Sequence, residues 1–321
     1  FDIDLDSIIQ KVFSEMSQPA FEVLQLQKYE VLDGDRKRFQ VLIDIKNSGN
    51  NDGVLEVKFN FGDDRRGSFD EEAVVEKEPG MLSVVRQGEV KQFGFLLDER
   101  PNSVTINTII SRNIPSEINL SIGTIGKKER VTLFEGERVI QGSVDNSQYQ
   151  VVVDNEDQEF TTFSPIEPTY LRAYLDSRDT TDKKYYGKWF RSYSKWLATT
   201  GSDFYGDIIR SAHFTRSGKG EKLVTWTPEL DEEGFYDLYI YLKGPNQNEY
   251  VGQGDNRQFH YNYIINHGDG TDNIQYNLNN AETGWNYLGS YYFQKSGGSV
   301  SQTDKSEFRT VYADAVKWVK Q

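Results

Sequence analysis

The feature that most restricts this chain is the recurrence of short apolar/polar alternations punctuated by Gly, Asn and Asp. AFEVLQLQKYEVL and KRFQVLIDIKNSG flank the turn DGD at 33–35, the pattern of two strands joined as a hairpin. VLEVKFNFG, MLSVVRQGEVKQFGFLL, SVTINTIIS, EINLSIG and RVTLFEGERVI repeat it, giving seven or eight strands over about 130 residues. That density points to a two-sheet, immunoglobulin-like β-sandwich. One segment departs from it: Ile8, Ile9, Val12, Phe13 and Met16 fall at helical spacing after Asp6, so a short helix is expected there, ended by Pro19.

A length of 321 residues exceeds one ordinary domain. The polar stretch QGSVDNSQYQ supplies the boundary, near Asn146, and predicts domains at 1–146 and 147–321. Beyond it YQVVVDN reads as a strand, and 156–220 gives few strand signals, so short elements are expected within it. In GFYDLYIYL, Phe235, Asp237, Tyr239 and Tyr241 alternate with Tyr236, Leu238, Ile240 and Leu242, as a half-exposed strand requires. VYADAVKWV alternates similarly and is expected to be one closing strand. The 19 Tyr, 19 Phe and 5 Trp suit narrow β interiors and flat recognition surfaces better than helical bundles.

Charge and composition remove several function classes. There are 26 acidic and 18 basic residues up to Gln148, and 24 and 18 beyond it, so neither half offers the cationic face that nucleic acid demands. Without cysteine there is no disulfide, thiolate metal site or thiol nucleophile. No run approaches the ~20 apolar residues of a membrane span. A chain beginning at Phe1 is read as a processed piece of an export product, placed in the periplasm, at the cell surface or outside the cell.

Five landmarks then follow in order: VVVDNEDQEF at 151–160, VTWTPELDEEGFYDLYIYL at 224–242, FHYNYIINHGDG at 259–270, GWNYLGSYYF at 284–293 and VYADAVKWV at 311–319. Together they resemble the golvesin C-terminal-like domain, an accessory domain associated with xanthan lyases, over about 149–321. The resemblance implies a jelly-roll sandwich of the galactose-binding-like kind, non-catalytic, with carbohydrate as its presumed ligand. Between Thr169 and Gly206 the chain departs from the family pattern with an insert rich in Tyr and Trp.

Catalytic motifs are missing. His213, His260 and His267 lack the one-turn spacing of a zinc protease, and no Gly-x-Ser-x-Gly elbow occurs. Fifty acidic residues guarantee candidate glycosidase pairs and so identify none. The helical toroid that carries xanthan lyase chemistry has no counterpart in this chain. For calcium, jelly-roll modules use carboxylate and carbonyl oxygens, and Asp154, Asp157 and Asp314 are the candidate ligands, weighed against solvated turn carboxylates.

For a glycan, flat rings must meet a few fixed polar groups. Trp189, Tyr193 and Trp196 of the insert, and Tyr250 and Arg257 of the Gly-rich segment 244–258, combine both kinds. The competing reading packs the insert's rings onto the sandwich. Trp226, Trp285 and Trp318 are expected in the core. Two functions from different classes follow: a binding module for a glycan or cell-surface polysaccharide beside upstream domains of a parent chain, or a structural spacer of a larger secreted enzyme. Catalysis by the chain itself ranks third.

Overall fold

The computed structural model describes residues 18–61, 80–128, 132–140, 149–165, 184–186, 195–243 and 259–321. The expected helix at 6–16 lies outside them. Among the described residues the chain is all-β, with one 3₁₀ turn at Leu278–Asn280. It divides into two compact units, Phe1–Asp145 with Asp207–Ile209, and Asn146–Gly206 with Arg210–Gln321.

The first unit contains β1 (Phe21–Asp33), β2 (Arg36–Asn47), β3 (Gly53–Asn60), β4 (Met81–Val85), β5 (Val90–Leu97), β6 (Ser103–Asn107), β7 (Glu117–Ser121), β8 (Gly126–Lys127) and β9 (Gly136–Val139). They form two sheets, ordered β8-β1-β2-β5-β9 and β4-β3-β6-β7. The β1–β2 hairpin pairs Asp33 with Arg36. Gly34 in that turn has φ of 62°, a conformation that costs glycine nothing and a branched residue a good deal.

One core is filled from both sheets. Val41, Ile43 and Ile45 of β2 and Phe93 of β5 meet Leu55, Val57, Val104, Ile106 and Ile118 of the other sheet. The opposite side of β2 is covered as well. Gln40 donates to the carbonyls of Phe95 and Phe134, at 2.9 and 2.7 Å, and accepts from the Phe134 N–H at 2.9 Å. A buried amide in a central strand is thus satisfied by the segment lying over it.

The second unit contains β10 (Gln150–Val153), β11 (Phe160–Phe163), β12 (Leu197–Thr200), β13 (Ser211–Arg216), β14 (Leu223–Trp226), β15 (Gly234–Leu242), β16 (His260–His267), β17 (Gly270–Asn277), β18 (Gly284–Phe293), β19 (Ser299–Thr303), β20 (Thr310–Ala313) and β21 (Val316–Lys320). Three sheets result: β10-β21-β15-β18, β11-β14-β19-β16-β17 and β12-β13-β20. All contribute to one core, in which Trp226, Tyr236, Tyr263, Phe293 and Trp318 are the bulk.

VYADAVKWV is not one strand. It breaks at Asp314–Ala315, with β20 in the small sheet and β21 in the four-stranded one. The carbonyls at the break turn to new donors: Trp226 Nε1 donates to Asp314 O at 3.0 Å, and Tyr241 N to Ala315 O at 2.9 Å. The inward face changes phase there, from Val311 and Ala313 before the break to Val316 and Trp318 after it, which a single strand of strict period two does not allow.

Candidate ligand-binding face and buried carboxylate pair

β15 sends Tyr236, Leu238, Ile240 and Leu242 into the core, which turns Phe235, Asp237, Tyr239 and Tyr241 to the other side. β18 pairs with it antiparallel: Phe235 faces Tyr292, Asp237 faces Ser290, Tyr239 faces Tyr287 and Tyr241 faces Trp285. A bulge after Leu238, opposite Leu288, keeps these partners on the same side. The outcome is a ladder of rungs, two residues or about 7 Å apart, aromatic except for the polar Asp237–Ser290 rung.

The rings of each aromatic rung touch. Centroids lie 5.5 Å apart for Phe235–Tyr292, 5.5 Å for Tyr239–Tyr287 and 5.2 Å for Tyr241–Trp285, all edge-to-face. Phe235 and Tyr287 are 55% and 52% exposed, large values for such side chains. Lys317 of β21 lies opposite Tyr239, with its ammonium 5.1 Å from that ring and 4.6 Å from Trp285. Burial lowers its pKa. At the polar rung, Gln321 Nε2 donates to Asp237 Oδ1 and to Ser290 Oγ, both at 2.8 Å.

Trp285, expected in the core, is therefore on the outward face, half-buried between Tyr241 and Tyr205, the latter ring 5.0 Å away. Trp226 and Trp318 are in the core, at 1% and 0% exposure. Trp196, expected to present a face to sugar, is 5% exposed and part of the core. Its apolar ring is worth more buried than wet, and Phe204 of the same insert is buried too. Trp189, Tyr193, Tyr250 and Arg257 lie outside the described residues. The ladder was legible as alternation in GFYDLYIYL and GWNYLGSYYF, but alternation does not say which face lacks a cover.

A second constellation is partly buried. β10 and β21 end their pairing at Val153–Val316. Just beyond that end lie Asp154 and Asn155 on one strand and Ala315 and Asp314 on the other. Asp314 is 4% exposed; its Oδ2 accepts from Tyr205 N at 3.0 Å, and its Oδ1 has no hydrogen-bond partner among the described residues. Asp154 Oδ1 accepts from Asn155 N at 2.7 Å. Burial, then the negative charge of Asp314, push the Asp154 pKa up to about 9. Burial likewise carries Asp314 well above the usual range, against the pull of the Tyr205 N–H and Arg210.

Arg210 gives its own N–H groups to Ser202 O, Gly206 O and Tyr241 Oη. Asp157, the third expected ligand, closes a turn, its Oδ2 accepting from Asp154 N at 2.7 Å. Among the described residues no three His, Cys, Asp or Glu side chains converge as a metal cluster, so Asp154, Asp157 and Asp314 do not form the three-carboxylate site expected. Glu156 is spent differently: burial opposes its charge, but hydrogen bonds from Lys184, Ser211 and Tyr185 hold its pKa below the usual value.

Residues 175–320 match the model of the Golvesin C-terminal domain. The second unit carries a golvesin C-terminal domain. Both the aromatic ladder and Asp314 fall within the matched segment of this golvesin domain, whereas Asp154 precedes it. The chain is also 30% identical over 159 residues, 48% of its length, to a xanthan lyase of Bacillus sp. (strain GL1), and spans 15% of that protein. A solved structure of Paenibacillus xanthan lyase aligns with 96% of the chain and 27% of its own, at 18% identity and a TM-score of 0.38.

Proposed function

We propose that this chain is a non-catalytic accessory module of an exported bacterial protein, and that its golvesin domain binds a glycan or cell-surface polysaccharide on the outward face of β15, β18 and β21. The observation carrying this reading is the ladder itself: aromatic rungs with Phe235 and Tyr287 exposed, one polar rung and one ammonium on one face of the sheet. Pyranose rings offer apolar C–H faces to aromatic planes, and their hydroxyls need fixed partners such as Asp237, Ser290 and Gln321. A half-exposed sheet face without such a ligand gains nothing from bare Phe235 and Tyr287.

On this reading residues 1–146 form an immunoglobulin-like sandwich and 147–321 a jelly roll of the galactose-binding-like kind. The single core in each unit, fed by more than one sheet, supports that assignment. Upstream domains of the parent chain are its other partners, and the relation to xanthan lyase makes xanthan the first polymer to test.

Titration of xanthan fragments and neutral oligosaccharides against wild type, Phe235→Ala, Trp285→Ala and Tyr287→Ala tests the proposal. Loss of one stacking contact is expected to weaken binding by about tenfold. Binding that survives all three substitutions but fails in Trp189→Ala, Tyr193→Ala, Tyr250→Ala or Arg257→Ala moves the site to those residues. If no glycan binds, the spacer reading replaces this one.

A further inference from the structure

We propose that the ladder recognises an acidic sugar, a pyranose bearing a carboxylate, and that Lys317 is the residue that selects it. The inference rests on the ladder being the glycan face, and adds the charge of the ligand. Lys317 stands on the outward side of β21, with Tyr239 of β15 and Val152 of β10 as its cross-strand neighbours and Ala315 and Val319 two residues away on its own chain. None of the four carries a charge. The acids diagonal to it are engaged elsewhere: Asp154 Oδ1 accepts from Asn155 N, and Asp237 Oδ1 from Gln321 Nε2.

Among the described residues the ammonium meets rings and no carboxylate. Other lysines of the same unit are matched, Lys184 with Glu156 at 2.6 Å, Lys222 with Asp304 at 3.1 Å and Lys320 with Glu232. Acids are in excess over bases, 50 to 36, so a shortage of carboxylates does not explain the difference. Burial lowers the Lys317 pKa, and no opposite charge acts against that fall. The rings of Tyr239 and Trp285 account for where the ammonium sits, since a cation is drawn to an aromatic face. They do not neutralise it.

A ligand carboxylate does so, and the ladder places one within reach. Adjacent strands lie about 4.8 Å apart, so a pyranose resting its C–H face on Tyr239 or on the exposed Tyr287 brings its ring edge to within one or two strands of Lys317. A uronic acid carries its carboxylate on C5, at that edge. Ser290 and Gln321, one rung along, remain for hydroxyls. A neutral sugar stacks on the same rings but leaves the ammonium uncompensated, whereas a bond between an ionised donor and an ionised acceptor is the stronger kind.

The test compares glucuronate-containing oligosaccharides with the same oligosaccharides after their carboxyls have been reduced to hydroxymethyl groups, by calorimetric titration of the whole chain. Wild type is expected to bind the acidic form about tenfold more tightly, and the preference should shrink as sodium chloride is raised. Lys317→Met, which keeps an apolar stem over the rings, should bring the acidic form down to the affinity of the reduced one. Lys317→Arg should keep the preference. Equal binding of both forms by wild type overturns the inference, and if that binding is lost in Tyr287→Ala the ladder remains the glycan face. A preference that survives Lys317→Met overturns the role of Lys317. If no oligosaccharide of either kind binds, the inference falls together with the reading beneath it. Wild type alone decides the preference, so a variant that fails to fold does not protect the idea.

Discussion

The two units solve the same packing problem with different side chains. The N-terminal core is largely aliphatic, with Val41, Ile43, Ile45, Leu55, Val57, Val104, Ile106 and Ile118 around a few phenylalanines. The C-terminal core is built from Trp226, Tyr236, Tyr261, Tyr263, Phe293 and Trp318. Aliphatic side chains ask nothing of their surroundings but contact. Tyrosine and tryptophan bring polar atoms into the interior, which must be met: Tyr236 donates to Glu232 O at 2.6 Å, Tyr261 Oη accepts from Tyr312 N at 3.2 Å, and Trp226 donates to Asp314 O. Trp196 and Trp318 have no partner for Nε1 among the described residues. An aromatic core therefore brings a polar network with it, and in this protein the network contains buried carboxylates.

The largest expected effect breaks the comparison at its strongest point. Trp226→Ala should cost roughly 3–5 kcal/mol, the usual range for a large core truncation, because it removes both a buried ring and the donor to Asp314 O. Hydrogen exchange should show the loss in residues of the C-terminal unit and leave β2 and β5 protected. Equal loss in both units would mean that the two cores do not unfold separately.

Acid should separate the units next. Burial lowers the His213 pKa from 6.5 to about 4, opposed by the charge of Glu156. The folded protein keeps this imidazole neutral, so its contribution is fully present above the unfolded value and is lost as pH falls from 6.5 toward 4. The gap corresponds to roughly 3 kcal/mol. All three histidines lie in the C-terminal unit, so its exchange protection should fall over that window and His213→Phe should flatten the dependence. A histidine-independent profile would leave the carboxylates as the only acid-sensitive groups.

Ile43→Val probes the aliphatic side and should cost about 0.5–1.5 kcal/mol by denaturant unfolding, the loss of one methylene from a filled core. Smallest of all, Phe235→Ser should change stability by no more than about 0.5 kcal/mol, since its ring is mostly exposed. A large destabilisation there would mean that the ladder is a packing surface and would weaken the case for a ligand.

How much of this was legible depended on whether a residue's environment is set locally. The β1–β2 hairpin follows from alternation on either side of DGD, because strand period and turn conformation are properties of a few consecutive residues. The strand β15 was equally legible. Trp285, expected in the core, is half-buried on the ladder, and Trp196, a candidate platform, is 5% exposed, as the competing reading of the insert has it. In an aromatic-rich strand both faces carry large rings, and hydrophobicity then does not mark the inner one. For VYADAVKWV, the inward face passes from Val311 and Ala313 to Val316 and Trp318 at a break that belongs to the hydrogen bonding of two different sheets.

By itself the sequence determined an all-β chain, its hairpin turns, its acidic character and its likeness to the golvesin domain, because each depends on local periodicity, composition or ordered motifs. Only the tertiary structure decided that Phe235, Tyr239, Tyr241, Trp285, Tyr287 and Tyr292 share one outward face with Lys317. It also decided that Asp154 and Asp314, 160 positions apart in the chain, both lie beside the end of the β10–β21 ladder. Strand pairing at such separations is fixed by which faces the core can bury, a property of the assembled sheets that no single segment contains.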